Sequence, residues 1–465
     1  MLKKRLHTAL NIALCCATVS AAQAQAVLTI PAANITNQTS YGPITVSYGT
    51  TVALSLLGIA SIKVMATFPN TVIPATVPGP GGSLPLNLVQ LQVNKIGNLS
   101  LLALRPVVTL SAAMQSLYTP ALSLGAGLMD LDFTILNNSS GWVAGTYFTP
   151  LTFDGMTNNS KDLTITVPAF ITPLLTVVPN ATLAVTNASF FNTTTGGISG
   201  IHTIDYYTTL PSVIDISSTN KFAYNNIYNL VYPPQPNSSL LKATLTDGLS
   251  GPQINLSTTN ARLTSSALAV PATNKKTVKT LFSLTGAQLK SDFVQAGTYT
   301  LPITYTISKN DSSYPLSTTI ASTITSNINV VVSQFLNITA QTATVSLAIN
   351  TAEKYKSGIT TPVLKQLLVN STMPYDITVK ATTPKFASPV PGNTNTIDLD
   401  VLTIKGSGSP VTLSTTAATI VSAASPQIGQ ELDMEYSIAP AKTSKLIGKP
   451  AGTYTTTITY TITAH

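Results

Sequence analysis

Charge is scarce in this 465-residue chain. Only 9% of its residues are Asp, Glu, Lys or Arg, and Thr, Ser and Asn fill the polar positions instead. A disordered chain would carry more charge and fewer apolar residues, so that class is excluded. The composition suits sheets whose outer faces carry hydroxyls and amides. Cysteine is rarer still: Cys15 and Cys16 are the only two. Both lie in a stretch that reads as a secretory signal. Lys3, Lys4 and Arg5 form a basic start, Ala9–Val19 is apolar, and Ala22-Gln23-Ala24 and Ala24-Gln25-Ala26 are both A-x-A cleavage sites. The apolar stretch falls short of the roughly 20 residues a spanning helix needs. The expectation is a signal peptide over 1–26, cleaved before Gln25 or Val27, and a secreted or cell-surface protein with no transmembrane span in the mature chain.

Such a mature chain has no cysteine, which excludes disulfides and Cys-based metal sites. Its stability must come from core burial, and the length allows about three domains. Losing Lys3, Lys4 and Arg5 with the signal lowers the net charge from +8 to +5. The remaining charges are scattered, so nothing argues for nucleic acid. His202 and His465 are the only histidines beyond the signal. No Ser–His–Asp or Cys–His set can be assembled, and the expectation is a protein that is not an enzyme and uses no cofactor.

What the chain does have is repetition. Ala-Gly-Thr-Tyr occurs at Ala144–Tyr147, Ala296–Tyr299 and Ala451–Tyr454. Each copy opens an alternating run. Tyr454, Thr456, Ile458, Tyr460 and Ile462 share one face in the third copy. Tyr299, Leu301, Ile303, Tyr305 and Ile307 do so in the second, and Tyr147, Leu151 and Phe153 in the first. A period of two marks a strand with one buried side. Pro150 and Pro302 hold the same outward position, which predicts an edge or a bulge there. Gly permits a tight corner just before the strand. A Tyr two residues after it resembles the tyrosine corner of immunoglobulin-like sandwiches, giving Tyr147, Tyr299 and Tyr454 as structural corner residues.

Other anchors recur upstream in the same order. Val108-Thr-Leu-Ser111 matches Val411-Thr-Leu-Ser414 and Ile254-Asn-Leu-Ser257. Asp130-Leu-Asp-Phe-Thr-Ile135 matches Asp433-Met-Glu-Tyr-Ser-Ile438, with Phe282-Ser-Leu284 as the weaker second copy. Leu86-x-Leu88-x-x-Leu91-x-Val93 has the spacing of Ile397-x-Leu399-x-x-Leu402-x-Ile404. These anchors predict an all-β chain of three tandem immunoglobulin-like β-sandwich domains, at 27–157, 158–332 and 333–465. The second is the most diverged, with extra sequence around Ile201–Asn237. Short helical turns are expected at Ala352–Lys356 and Pro362–Leu368.

The first two copies continue past their Ala-Gly-Thr-Tyr strand, into Leu163–Val167 and into an extended stretch near Leu316–Ile328. The third reaches His465 three residues after Ile462. That predicts a third sandwich short of a strand, with an open edge that another chain can fill. The competing expectation is that Val330–Thr339 fills the gap.

The Val369–Ala381 stretch (VNSTMPYDITVKA), the Leu-Ser-Thr run and the terminal AGTYTTTITYTI resemble bacterial fimbrial and surface domains of the spore-coat-U or archaic chaperone–usher pilin and adhesin type. The ending is also similar to cell-surface WxL domains, with Tyr where that family has Trp. The resemblance implies incomplete immunoglobulin-like sandwiches and partners that are other surface or fimbrial subunits, joined by strand addition. Three domains and no mature cysteine depart from a one-domain pilin, and the length fits a tip adhesin better.

Tyr206, Tyr207, Tyr224, Tyr228 and Tyr232 form an aromatic cluster in the second copy, giving candidate ligand contacts for a glycan or a host or abiotic surface, against the alternative of ordinary strand and core tyrosines. Asp130/Asp132, Asp398/Asp400 and Glu431/Asp433/Glu435 have the alternate spacing of one strand face. They read as solvated faces, with Ca²⁺ ligation as the other reading; no metal site is assigned. Trp142 reads as a core or corner residue. Two functions follow: an exported adhesin or fimbrial tip-like protein, or a non-adhesive structural protein of a coat or matrix.

Overall fold

Three hydrophobic cores follow one another along the chain. The first gathers residues from Ala26 to Val167, the second from Ile171 to Val332, and the third from Leu367 to Tyr436, with half-buried residues from Leu336 to Ile462 packed around it. The computed structural model describes residues 25–50, 61–66, 72–77, 82–97, 105–119, 127–156, 160–310 and 319–465. Residues 1–24 of the expected signal peptide lie outside the described residues; its last two, Gln25 and Ala26, are described, and Ala26 is buried at the start of the first strand. The fold is all-β, in immunoglobulin-like sandwiches. Among the described residues no helix is long and apolar enough to cross a membrane.

One sheet of each unit is built around the anchor strand with acidic or aromatic alternation. Leu128–Ile135 is flanked by Tyr41–Thr50 and Val89–Ile96. Lys275–Thr285 is flanked by Gly197–Thr208 and Lys242–Leu245. Gln427–Ile438 is flanked by Ile359–Ser371 and Thr403–Lys405. The Val-Thr-Leu-Ser anchors supply a short edge strand beside each, at Val108–Thr109, Ile254–Asn255 and Val411–Thr412.

The other sheet contains the Ala-Gly-Thr-Tyr strand. In the first unit its strands are β1 (Ala26–Thr29), β2 (Ile62–Ala66), β3 (Val72–Val77), β4 (Gly145–Asp154) and β5 (Ser160–Val167), with Gln115–Tyr118 at the far edge. In the second they are β6 (Ala181–Val185), β7 (Ser212–Ser218), β8 (Ala223–Tyr224), β9 (Gly297–Lys309) and β10 (Ala321–Val332). The two are built alike. β5 and β10 each run antiparallel to the Ala-Gly-Thr-Tyr strand on one side and parallel to β1 or β6 on the other. Each is thereby hydrogen-bonded on both sides, over Leu163–Thr166 and over Ile328–Val332.

Pairing across that sheet moves one boundary. The sequence reading places Ser160–Val167 in the second unit, but β5 pairs with β4 and β1 and closes the first. Periodicity shows a strand and not its partner, and here the partner precedes it. The prolines are also explained differently from the edge or bulge expected. β4 and β9 are interior strands. On one flank Pro150 falls between the part of β4 that pairs β3 and the part that pairs β2, and Pro302 falls between the stretches of β9 that pair β8 and β7. The missing N–H faces a place where no acceptor strand runs. Helix Ala352–Ser357 forms, capped by the Thr351 hydroxyl. Pro362–Leu368 is no helix. It lies within strand Ile359–Ser371, whose register shifts between Val363 and Leu367, and Lys365 sits there at φ +56°, as a bulge requires. The extra sequence of the second unit begins later than Ile201, because Gly197–Thr208 and β7 have counterparts in the third unit.

In that third unit the sheet shrinks. Its strands are β11 (Leu336–Ala340) and β12 (Ile359–Ser371) on one layer, and β13 (Tyr375–Ala381), β14 (Ala418–Ala424) and β15 (Ile458–Ala464) on the other. The second layer has only the order β14-β13-β15. β11 pairs with β12 and not with β15, so Val330–Thr339 does not fill the gap.

Candidate functional site: the open edge of the third unit

The three Ala-Gly-Thr-Tyr corners share one local geometry. The glycines Gly145, Gly297 and Gly452 hold φ of +157°, +139° and +154°, a region that side-chain-bearing residues avoid. A Cβ on Gly297 would also meet the Tyr224 ring at 2.7 Å. From this corner each phenol turns back four residues. Tyr147 donates to the Val143 carbonyl at 2.7 Å, Tyr299 to Gln295 at 2.8 Å, and Tyr454 to Pro450 at 3.0 Å.

Beyond the corner the copies part. In β9 the inward residues Tyr299, Leu301, Ile303, Tyr305 and Ile307 are all buried, covered by β10. In β4, Tyr147, Leu151 and Phe153 are equally buried beside β5. In the third copy β13 pairs one side of β15, and no described strand pairs the other. Tyr454, Ile458, Tyr460 and Ile462 are therefore only half-buried. The counterpart of β6 is idle too. Residues 343–350 (ATVSLAIN) alternate like β6 (ATLAV), and Val345, Leu347 and Ile349 turn partly inward, but the segment forms no strand. Residues 343–350 and β15 both border the third core, through Val345 and Leu347 on one side and Ile458, Tyr460 and Ile462 on the other. In that core the Tyr436 and Tyr460 phenols hydrogen-bond each other at 2.6 Å. A chain placed beside β15 as β5 lies beside β4 and β10 beside β9 would run antiparallel to it.

The five clustered tyrosines do not form one surface. Tyr206 is fully buried, bonded to Ser212 at 2.8 Å, and burial pushes its phenol up to about 12. It cannot touch a ligand. Tyr224 donates to the Ala296 carbonyl at 2.7 Å and packs on Tyr299 with ring centroids 4.9 Å apart; burial pushes it up to about 12 as well. Tyr207 is half-buried on the opposite face of the strand from Tyr206. Tyr228 accepts from the Gln334 amide at 2.7 Å, and Tyr232 is 90% exposed. The alternation of His202, Ile204, Tyr206 and Thr208 could have separated Tyr206 from Tyr207, since neighbours on a strand face opposite ways.

The acidic pairs are held by hydroxyls and cations. Ser47 donates to Asp130 at 2.5 Å and Thr45 to Asp132 at 2.6 Å, with Lys95 3.3 Å from Asp130. Lys442 and Lys445 bracket Asp400 at 2.8 and 2.7 Å and hold its carboxyl below the usual range. Lys365 pairs with Glu431 at 2.7 Å, and Asp433 accepts the Lys365 N–H at 2.7 Å. Among the described residues no group of three His, Cys, Asp or Glu is placed to hold a metal ion.

His202, which the sequence left without a role, is a buried neutral imidazole. Its Nε2–H faces the Pro179 carbonyl at 3.2 Å and the Ser326 hydroxyl at 3.0 Å. Nδ1 accepts from the Tyr305 phenol at 3.2 Å. The ring stacks on Tyr305 with centroids 5.6 Å apart. Burial lowers its pKa, with the Pro179 hydrogen bond opposing. It ties β10 and the segment leading into β6 to β9, through Ser326, Pro179 and Tyr305.

No protein-family model matches the sequence, and neither does any curated protein sequence. Solved structures do match. A CsuC–CsuE chaperone–tip adhesion subunit pre-assembly complex, from the archaic chaperone–usher Csu pili of Acinetobacter baumannii, aligns over 63% of this chain and 99% of the matched chain. The identity is 11% and the TM-score 0.30. CfaE, the adhesive subunit of CFA/I fimbria of enterotoxigenic Escherichia coli, aligns over 66% and 98%, at 12% identity and TM-score 0.24. The CupB6 tip adhesin of Pseudomonas aeruginosa aligns over 62% and 89%, at 8% identity and TM-score 0.25. Scores this low carry no functional weight; the strand pairing does.

Proposed function

We propose that this chain is an exported surface protein of adhesin or fimbrial tip-like type, in three domains divided near residues 168 and 333, and that its third domain joins it to an assembly by accepting a strand. One observation supports this above the rest. β15 repeats the apolar alternation of β9, yet among the described residues it has a partner on one side only and leaves Ile458, Tyr460 and Ile462 half-covered. An edge with unpaired backbone groups and an apolar floor is a template for strand addition. The basic, apolar, A-x-A order of the first residues supports export. Tyr228 and Tyr232, on the surface of the second domain, remain the aromatic candidates for ligand contact. The coat-protein alternative requires no open edge.

The test uses the peptide Ala321–Val332, the strand that covers β9, added to the full chain. Binding should raise the melting temperature of the third domain and slow amide exchange along β15. A scrambled peptide of the same composition serves as control. If the native and scrambled peptides act alike, or neither acts, strand acceptance is wrong and the coat-protein reading moves ahead.

A further inference from the structure

The two junctions between units are assembled from the same parts. Each begins where the covering strand ends, at Val167-Pro-Ala-Phe170 and at Val332-Ser-Gln-Phe335. Each is gripped by a turn of the following unit with the sequence Ser/Thr-Thr-x-Pro, at 208–211 and 371–374. The central threonine holds the linker at both places. Thr209 Oγ1 donates to the Pro168 carbonyl at 2.7 Å and accepts the Phe170 N–H at 3.1 Å. Thr372 Oγ1 donates to Ser333 at 2.9 Å and accepts the Phe335 N–H at 3.0 Å. The hydroxyl before it stiffens the turn: Thr208 Oγ1 bonds the backbone of Leu210, and Ser371 Oγ that of Met373.

The same threonines reach back to the preceding unit. The Thr209 carbonyl accepts the N–H of Ala144 at 2.8 Å, and the Thr372 carbonyl accepts that of Ala296 at 2.7 Å. Those alanines open the first two Ala-Gly-Thr-Tyr corners and are 1% and 0% exposed. Ala144 packs there against Leu210. The alanine is thus fixed by docking as well as by the corner. Ala451, which opens the third corner, is exposed.

We propose that the Ala451–Tyr454 corner is a third docking point of this kind. Its occupant is the Ser/Thr-Thr-x-Pro turn of a β-sandwich unit in a separate partner chain. That chain also supplies the strand beside β15, and a short linker ending in Phe joins the strand to the unit. The turn sets the angle of the partner unit, a task the strand alone does not perform. A second copy of this chain is not the occupant. The sequence Ser/Thr-Thr-x-Pro occurs only at 208–211 and 371–374, and both turns are already seated. This inference rests on the strand-addition reading above and adds the chemistry of the partner.

The experiment extends the full chain with an added copy of residues 319–465. The added copy's Ala321–Val332 offers the strand, and its Thr372 offers an unseated turn. Amide exchange is read at Ala451 and along β15 in three samples: the unextended chain, the extended chain, and the unextended chain with the peptide Ala321–Phe335, which has strand and linker but no turn. Ala144 and Ala296 serve as seated references. Exchange at Ala451 should slow by about 100-fold or more in the extended chain only, the scale expected when an amide passes from open to structured backbone. The peptide should slow β15 and leave Ala451 fast. The proposal is overturned if the extended chain protects β15 while Ala451 stays fast, or if the peptide alone slows Ala451 equally. If neither addition slows β15, strand addition itself fails and this proposal falls with it.

Discussion

The strand that opens Gly-Thr-Tyr lies at the centre of a sheet in the second unit and at the edge of one in the third. Ile303, Tyr305 and Ile307 have the same residue types and spacing as Ile458, Tyr460 and Ile462, yet the first three are fully buried and the second three half-covered. What differs is the neighbour. β10 pairs with β9 on one side, whereas among the described residues no strand pairs β15 on the side away from β13. Burial is therefore set by a pairing many residues away, and the pattern within the strand states only which face is ready to be covered. Full burial of an isoleucine contributes about 1.5–3 kcal/mol, so the third unit forgoes much of what the second gains from equal side chains.

Truncation should expose this inequality most strongly. Ile307→Ala removes a fully buried side chain and should destabilise the second unit by about 2–5 kcal/mol. Ile462→Ala, at the matching position, should cost the third unit under about 1 kcal/mol, the scale of a surface change. Denaturant titrations read by unit-resolved amide exchange would measure both. Equal losses would mean that β15 is covered in solution.

A smaller difference should appear at the corners. Tyr299→Phe leaves the buried Gln295 carbonyl without its donor and should cost about 1–3 kcal/mol. Tyr454→Phe breaks the same bond where water reaches the carbonyl, and should stay within about 0.5 kcal/mol. Thermal melts of the full-length variants test the pair, and a Tyr454→Phe loss as large as that of Tyr299→Phe would show the third corner to be as closed as the second.

Acid should narrow the contrast from the other direction. Burial lowers the His202 pKa below its ordinary 6.5, so the unfolded chain takes up the proton first. The stability tied to the neutral ring is intact above about pH 6.5 and declines as the pH falls below it toward the folded value. His202→Gln should flatten the pH dependence of second-unit melting between pH 7 and 5; an unchanged slope would place the titration elsewhere.

Much of this architecture was legible in advance. Alternation located the Ala-Gly-Thr-Tyr strands, because a half-buried strand writes its period of two into the sequence. Recurrence in the same order located the Val-Thr-Leu-Ser anchors and the Asp130–Ile135 and Asp433–Ile438 anchors, whose edge and central places the pairing then assigned. The open edge was legible from the order of elements. The membership of Ser160–Val167 was half legible: the order of elements offered it as a continuation of the first copy, yet the boundary was set before it, since pairing is non-local and leaves no mark on the strand itself. The strand at Pro362–Leu368, read as a helical turn, was not legible, because its bulge interrupts the period of two that would have marked it. The tyrosine cluster misled because closeness in sequence was read as closeness in space, whereas Tyr206 and Tyr207 point to opposite sides. The junction turns went unread for a different reason. Thr209 and Thr372 act through hydroxyl and backbone groups that any threonine has, and only their repeated partners set them apart.

The prolines of the first two units have a consequence for how those units fold. Pro302 can sit inside β9 only because its nitrogen faces the interval between β8 and β7, while its carbonyl accepts from Thr219 at 3.2 Å. Sliding β9 by one residue would turn that nitrogen toward β10, where a donor is required, and would throw Tyr305 to the outside. Sliding it by two would set the proline against β7 or β8. Every misthreaded alignment thus costs a hydrogen bond, and Pro150 imposes the same penalty on β4. Thr457 occupies this place in the third unit, with its carbonyl accepting from Thr382 at 2.9 Å. The edge strand is thus the one of the three without a lock against misthreading, and on the strand-addition proposal the choice of alignment would fall to the incoming chain.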